Sequence, residues 1–164
     1  MKNGTLYIRI DNRLLHGQVV QFWIPRLKIS NLIIADDLAA STPAMVSVYR
    51  MAIPKSVKLS VVTIASLSDV INNQESKNVL IVLGDIFDLA RAKMAGFNFN
   101  SLTLGNVHAA KGRNTITDSV HLTPEEIEIL LKWHKAGVKI EIQTFPGDKM
   151  VMKWSQKGVE WLRQ

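Results

Sequence analysis

Apolar residues in this chain fall into short runs, separated by stretches where they recur every three or four positions, and this alternation continues from end to end. Leu6-Tyr7-Ile8-Arg9-Ile10 predicts a strand, followed by a polar loop from Asp11 to His16. Gly17 to about Leu27 predicts a helix with Val19, Val20, Phe22, Trp23 and Leu27 mostly on one side, and Pro25 is set to tighten or end it. Asn31–Ala35 is a second strand, and Thr42-Pro43 opens a helix that carries on to Ala52, where Pro54 blocks it. Val57–Val62 predicts a third strand, with a helix after it from Ser66 or Ser68 to Asn72-Asn73. Val79-Leu80-Ile81-Val82-Leu83 has no polar break, the mark of a central strand covered on both faces. Gly84-Asp85 then opens a helix stopped by Gly96, and Ser101–Leu104 predicts a further strand. Thr123-Pro124-Glu125-Glu126 is the clearest helix start in the chain, with that helix reaching Lys135 and Gly137 behind it. Val138–Ile142 alternates with period two, as an edge or one-side-exposed strand does. The tail from Lys149 to Leu162 reads as helical with a break near Gly158.

Strands alternating with helices over a whole chain predict an α/β fold: one domain over residues 1–164, with an open, mostly parallel twisted sheet and helices on both faces. Ligands of such sheets gather at the carboxyl ends of the strands. The loops there (Asp11–His16, Asp36-Asp37, Thr63–Ser66, Gly84-Asp85 and Gly105–His108) hold most of the residues with chemical potential.

Composition narrows the classes. At 47% hydrophobic and 21% charged, the chain is of the ordinary globular kind, and having no cysteine it can form neither disulfides nor thiolate metal sites. Its N-terminus is not patterned as a signal peptide, and no apolar stretch approaches the roughly 20 residues of a membrane helix. A net charge of +6 raises the question of nucleic acid, but the basic residues are scattered without aromatic interleaving, so no nucleic-acid partner is expected. The same charge suits encounter with an acidic or phosphorylated protein.

The informative segment is Arg9-Ile10-Asp11-Asn12-Arg13-Leu14-Leu15-His16-Gly17-Gln18-Val19. A histidine at the end of a strand-to-helix loop is placed as a nucleophile, because imidazole titrates close to neutrality. Phosphoryl transfer asks mainly for positioning and for donors around the phosphate oxygens. A helix N-terminus opened by Gly17 and the forked donor set of Arg13 offer such donors. Asp11 has two roles open to it: orienting His16 or orienting Arg13. Taken alone, a histidine there is also a common cap or surface residue.

This string closely resembles the active-site segment of the enzyme IIB components of the mannose/fructose/sorbose class of the bacterial sugar phosphotransferase system. The usual family form has an acid where this chain has Asn12, which suggests an adjustable position. The resemblance continues through Ala35-Asp36-Asp37 with Met51–Pro54, through Leu104–His108 with Gly112-Arg113, and through Leu122–Glu126 and Gly137–Gln143. It implies that His16 is phosphorylated on Nδ1 by a phosphohistidine of a separate IIA protein and donates to a sugar held by membrane IIC and IID partners. Arg9, Asp11, Arg13, Gly17 and Gln18 would bind or orient the phosphate. It implies no metal or organic cofactor, and a cytoplasmic protein held at the inner face of the membrane through its partners. Neither the sugar nor the choice between single chain and homo-oligomer is readable.

Other candidates carry less. His108 sits in a post-strand loop and fits either a secondary role at the same site or a structural one. Asp37, beside Asp36, fits magnesium binding or simple capping. His121 and His134 read as ordinary strand and helix residues, and Lys111-Gly112-Arg113 reads as a solvated turn or docking surface. Met150, Met152, Trp154 and Trp161 require a cover of some kind. The rival functional class is a flavodoxin-shaped module that holds a nucleotide or sugar phosphate without covalent chemistry; neither a Gly-x-Gly-x-x-Gly run nor a P-loop supports it.

Overall fold

The structure is a computed structural model and describes residues 4–73, 77–155 and 158–163. Strand β1 (Leu6–Asp11) passes through a five-residue loop into a helix beginning at Gly17. That helix is a π-turn over Val19–Trp23 and ends as α1 (Ile24–Arg26). There follow β2 (Asn31–Ala35), α2 (Asp37–Ala40), α3 (Pro43–Ala52), β3 (Lys58–Val62), α4 (Leu67–Asn72), β4 (Val79–Leu83) and α5 (Ile86–Met94). After β5 (Ser101–Asn106) come β6 (Asn114–Thr117), β7 (Val120–Leu122), α6 (Pro124–Lys135), β8 (Lys139–Ile142), β9 (Met150–Ser155) and β10 (Gly158–Arg163).

The main sheet has the order β10-β9-β8-β5-β1-β4-β2-β3, parallel from β8 to β3 and antiparallel at β9 and β10. Every residue of β2 and β4 is buried, as their unbroken apolar runs require. Odd and even positions feed two cores. Ile8, Ile10, Ile81 and Leu83 pack with Leu67, Leu89, Leu130 and Trp133 of α4, α5 and α6. Leu80, Val82, Leu32 and Ile34 pack with Val19, Trp23, Tyr49 and Ile53 on the opposite face.

Pro25 explains the π-turn. Proline has no N–H, and its ring crowds the carbonyl one turn back, so a regular helix is disfavoured at this point. The ladder widens instead, with the Ile24 N–H donating to Val19 O five residues earlier. The wider turn brings Val19 and Trp23 inward together.

Several boundaries differ from those the sequence predicts. The tail is not helical: β9 and β10 form a hairpin against β8. Its large residues are spaced by two, and Met150, Met152, Val159 and Trp161 turn into the sheet's own core. They need no partner for cover; the Trp154 side chain lies outside the described residues, as do Met1–Asn3 of the N-terminus. β8 is an interior strand, exposed on one side only. The β6-β7 hairpin and the short α2 are not predicted as elements, although His121, read as a strand residue, does lie in β7.

Arg113 is the other correction. It is not a solvated turn residue: Nε and Nη2 donate to Glu126 at 3.2 and 2.7 Å, and Nη1 donates to His108 O at 2.9 Å. Glu126 is buried and also accepts from the Thr123 N–H in a full capping box. Removing that carboxylate strands a guanidinium and takes away the partner of the Thr123 N–H, half of the capping box. Glu126→Ala should therefore lower unfolding free energy by about 3 kcal/mol, against about 1 kcal/mol for Thr123→Ala. Urea unfolding of both variants checks the ranking.

Candidate active site

β1 lies between β4 and β5, and the chain leaves β1 toward one face of the sheet and β4 toward the other. The carboxyl ends of these three strands therefore border a crevice, the place where open α/β sheets bind ligands. Asn12 ties the three ends together. Its backbone N–H donates to Asn106 O at 2.9 Å, its Nδ2 donates to Gly84 O at 2.6 Å, and its Oδ1 accepts from the His108 N–H at 2.6 Å. The position is thus not a loosely adjustable one in this chain: one amide serves as donor and acceptor at once.

Tyr7, Arg9 and Asp11 alternate onto the face of β1 that the first helix covers. Arg9 and Asp11 are both buried, at 2% and 0% exposure. Arg9 Nε and Nη2 donate to Asp11 Oδ2 at 3.3 and 3.2 Å, and Nη1 donates to Gln143 O at 2.9 Å. The Trp23 ring centroid lies 4.9 Å from the guanidinium carbon. The same Asp11 Oδ2 meets His16 Nε2 at 2.9 Å, while Oδ1 accepts from the Arg13 N–H at 3.2 Å. Arg13 Nε stands 3.6 Å from that Oδ1, and its Nη2 donates to Gln18 Oε1 at 3.0 Å. Asp11 therefore contacts both residues that the sequence left open to it, His16 through Oδ2 and Arg13 through Oδ1.

The charge state of Asp11 follows from these contacts. Burial opposes its ionised form most strongly. The hydrogen bond from His16, the charges of Arg9 and His16 and the bond from the Arg13 N–H together outweigh burial, and the carboxyl is held below its ordinary value. Arg9 is pulled down by burial, against the raising effect of Asp11, yet a guanidinium stays charged. An ionised Asp11 can only accept, so the neutral form of the His16 ring carries its proton on Nε2 and its lone pair on Nδ1. Among the described residues nothing is hydrogen-bonded to Nδ1.

His16 also starts the helix, since its carbonyl accepts from the Val20 N–H at 3.1 Å. A helix leaves the N–H groups of its first turn without partners inside the helix. A Cβ at Gly17 would meet nothing nearer than Gln21 Nε2 at 3.9 Å, so packing does not demand glycine there; its absence leaves the helix end open to a ligand. Leu14, two residues before His16, adopts a left-handed φ of 54° and is held there by burial in the apolar core.

The other candidates separate from this cluster. The His108 ring is exposed, and the residue joins the site only through its backbone. Asp37 belongs to another network, accepting from the Ile64 N–H at 2.9 Å and from Arg91 Nη2 at 2.5 Å. The Arg91 bond is the main reason its carboxyl lies below the ordinary value. Asp36 caps α2 through Ala39 N–H at 2.7 Å. Among the described residues no group of three or more His, Asp or Glu is placed to hold a metal. Sequence reasoning missed Gln143, whose carbonyl reaches Arg9 from 134 residues away. No local signal marks it, because a backbone carbonyl acts whatever its side chain.

Known proteins of one family resemble this chain in sequence and in fold. The family model for the sorbose-subfamily IIB component of the phosphotransferase system matches residues 5–157. The sorbose-specific EIIB component of Klebsiella pneumoniae is 26% identical over 145 residues, covering 87% of this chain and 88% of that protein. The mannose-specific EIIAB component of Escherichia coli K12 is 25% identical over 142 residues; the match covers 85% of this chain but only 44% of that longer relative. Among solved structures, manxB from Thermoanaerobacter tengcongensis superposes with a TM-score of 0.80 at 27% identity, covering 90% and 92% of the two chains. The IIBSor domain of the Klebsiella pneumoniae sorbose permease gives 0.78 at 27% identity, covering 89% and 90%. With nearly its whole length matched, the chain belongs to the sorbose subfamily of phosphotransferase-system IIB components.

Proposed function

We propose that this chain is a phosphocarrier whose His16 Nδ1 takes a phosphoryl group from a phosphohistidine of a IIA protein and passes it to a sugar hydroxyl presented by membrane IIC and IID partners. The 2.9 Å contact between His16 Nε2 and the buried Asp11 carboxylate carries this reading. The Nδ1 lone pair attacks phosphorus in line, and the donor imidazole leaves. The ring then bears positive charge, which Asp11 stabilises through the Nε2 proton. When the sugar hydroxyl attacks in turn, the bond from Nδ1 to phosphorus breaks, the hydroxyl proton passes to a base of the partner that presents the sugar, and His16 leaves neutral with its own proton still on Nε2.

The phosphate oxygens are met by the first-turn N–H groups after His16 and by Arg13, whose side chain is half-exposed and free to turn from Gln18 to a phosphate. Gln18 then acts as the resting partner of Arg13. Arg9 lies too deep to reach a phosphate and serves through Asp11. His108 supplies a backbone contact, and Asp37 stays outside the reaction.

Exposed apolar side chains lie on the segments that follow four of the strands: Phe22 on the first helix, Leu38 after β2, Phe87 after β4 and Phe145 after β8. Phe22 and Phe145 meet edge-to-face at 6.5 Å. Exposed apolar side chains of this kind suit docking of a folded partner, and the +6 charge favours one that brings a phosphate. No helix among the described residues is long and apolar enough to cross a membrane. In the proposed role the chain works at the inner membrane face through its partners. The sugar is set by the membrane components.

Incubated with the upstream phosphodonors, the protein should acquire an acid-labile, base-stable label that is absent in His16→Ala and retained in His108→Ala; labelled-phosphate assays of both variants check this. Asp11→Asn should slow uptake on the order of 10³-fold, because an amide can donate to Nε2 and moves the ring proton to Nδ1. Rapid-quench kinetics read that loss.

Asp11 also makes stability depend on pH. Its folded-state value is depressed, so the unfolded chain binds the proton first as acid is added. Its contribution is complete above the unfolded carboxyl value of about 4 and is lost as pH falls below that, through the folded value. The stability gap between wild type and Asp11→Asn should therefore narrow between pH 6 and pH 3, as measured by urea unfolding.

A further inference from the structure

Gly105, next to the end of β5, has no role in the reaction as described so far. It faces the guanidinium of Arg9 at van der Waals distance: a Cβ built there would lie 2.0 Å from Arg9 Cζ, 2.2 Å from Nη2 and 2.5 Å from Nε. The indole of Trp23 is the second wall, with its centroid 4.9 Å from Cζ. Gln143 O fixes the far end of the fork at 2.9 Å. Confined in this way, Arg9 directs two N–H groups at Asp11 Oδ2, the same oxygen that accepts from His16 Nε2 at 2.9 Å. The negative charge of one oxygen is thus shared between a permanent cation and the imidazole.

We propose that Gly105 and Trp23 are positioning residues for His16: by holding Arg9 against Asp11 they weaken that carboxylate's hold on an imidazolium and keep the ring in its neutral, nucleophilic form. This deepens the reading of His16 as phosphoryl acceptor and rests on it. The space at Gly105 is taken by the end of a flexible side chain and not by backbone, so an added methyl displaces Arg9 and leaves the strand in place. Asp11 then turns its full charge on His16, and the imidazolium persists to higher pH. Other charged or titratable groups near this mouth are Arg13, His108, and Asp36, Asp85 and Asp88 around Gly84, and Glu141 lines the cavity beside Arg9; the Arg9 guanidinium hydrogen-bonds only Asp11 and Gln143 O among the described residues.

Diethyl pyrocarbonate acylates only neutral imidazole and needs no phosphodonor, so its rate at His16, followed by peptide mass spectrometry across pH on the full chain, reads the effect directly. In Gly105→Ala the acid limb of that profile should move up by about one pH unit, making acylation about tenfold slower well down the limb. Arg9→Gln should give a shift in the same direction, and Gly105→Ala should add nothing further in that background. Trp23→Leu should give a smaller shift of the same sign, and it carries the test if circular dichroism finds Gly105→Ala unfolded. A folded Gly105→Ala or Trp23→Leu with the wild-type acid limb overturns the proposal, as does a Gly105→Ala shift that persists undiminished in the Arg9→Gln background. Failure of the wild type to take up phosphate overturns the phosphocarrier reading instead, with the acylation profiles unaffected.

Discussion

A single buried carboxylate organises the working end of this protein. Asp11 accepts from an imidazole, from a guanidinium and from a backbone N–H, with no exposure to solvent. An isolated carboxylate in that place would take up a proton to escape the cost of burial. Here the donors gathered around it keep it ionised, and an ionised Asp11 fixes which nitrogen of His16 carries hydrogen. Loop, helix start and arginine pair all find their purpose in this one charge state.

The fold provides what the carboxylate needs. β1 sits inside the sheet, so Arg9 and Asp11 can be buried side by side on one strand while the next five residues emerge at its carboxyl end. The π-turn forced by Pro25 turns Trp23 inward onto Arg9. Asn12 joins the ends of β1, β4 and β5, so the mouth is tied together by hydrogen bonds and not by packing alone.

Much of this was legible in the sequence because the patterns were local. The apolar run Val79–Leu83 could only be a covered strand, and Thr123-Pro124-Glu125-Glu126 carried its capping box openly. His16 with Asp11 and Arg13 fell within one short loop. Long-range contacts were not legible: Gln143 reaches Arg9 through a backbone carbonyl, and Glu126 claims Arg113 across the β6-β7 hairpin. The tail was misread for another reason. Met150, Met152 and Trp161 attract attention as large residues, but their spacing of two, not three or four, is what decides that they form strands.

The central claim is that Asp11 holds the Nε2 proton and leaves Nδ1 as the reactive atom. Nitrogen-15 and phosphorus-31 NMR of the phosphorylated, isotope-labelled protein tests this most directly. The account predicts phosphorus coupled to Nδ1 of His16, with Nε2 protonated. Phosphorus found on Nε2, or on another residue, would contradict it.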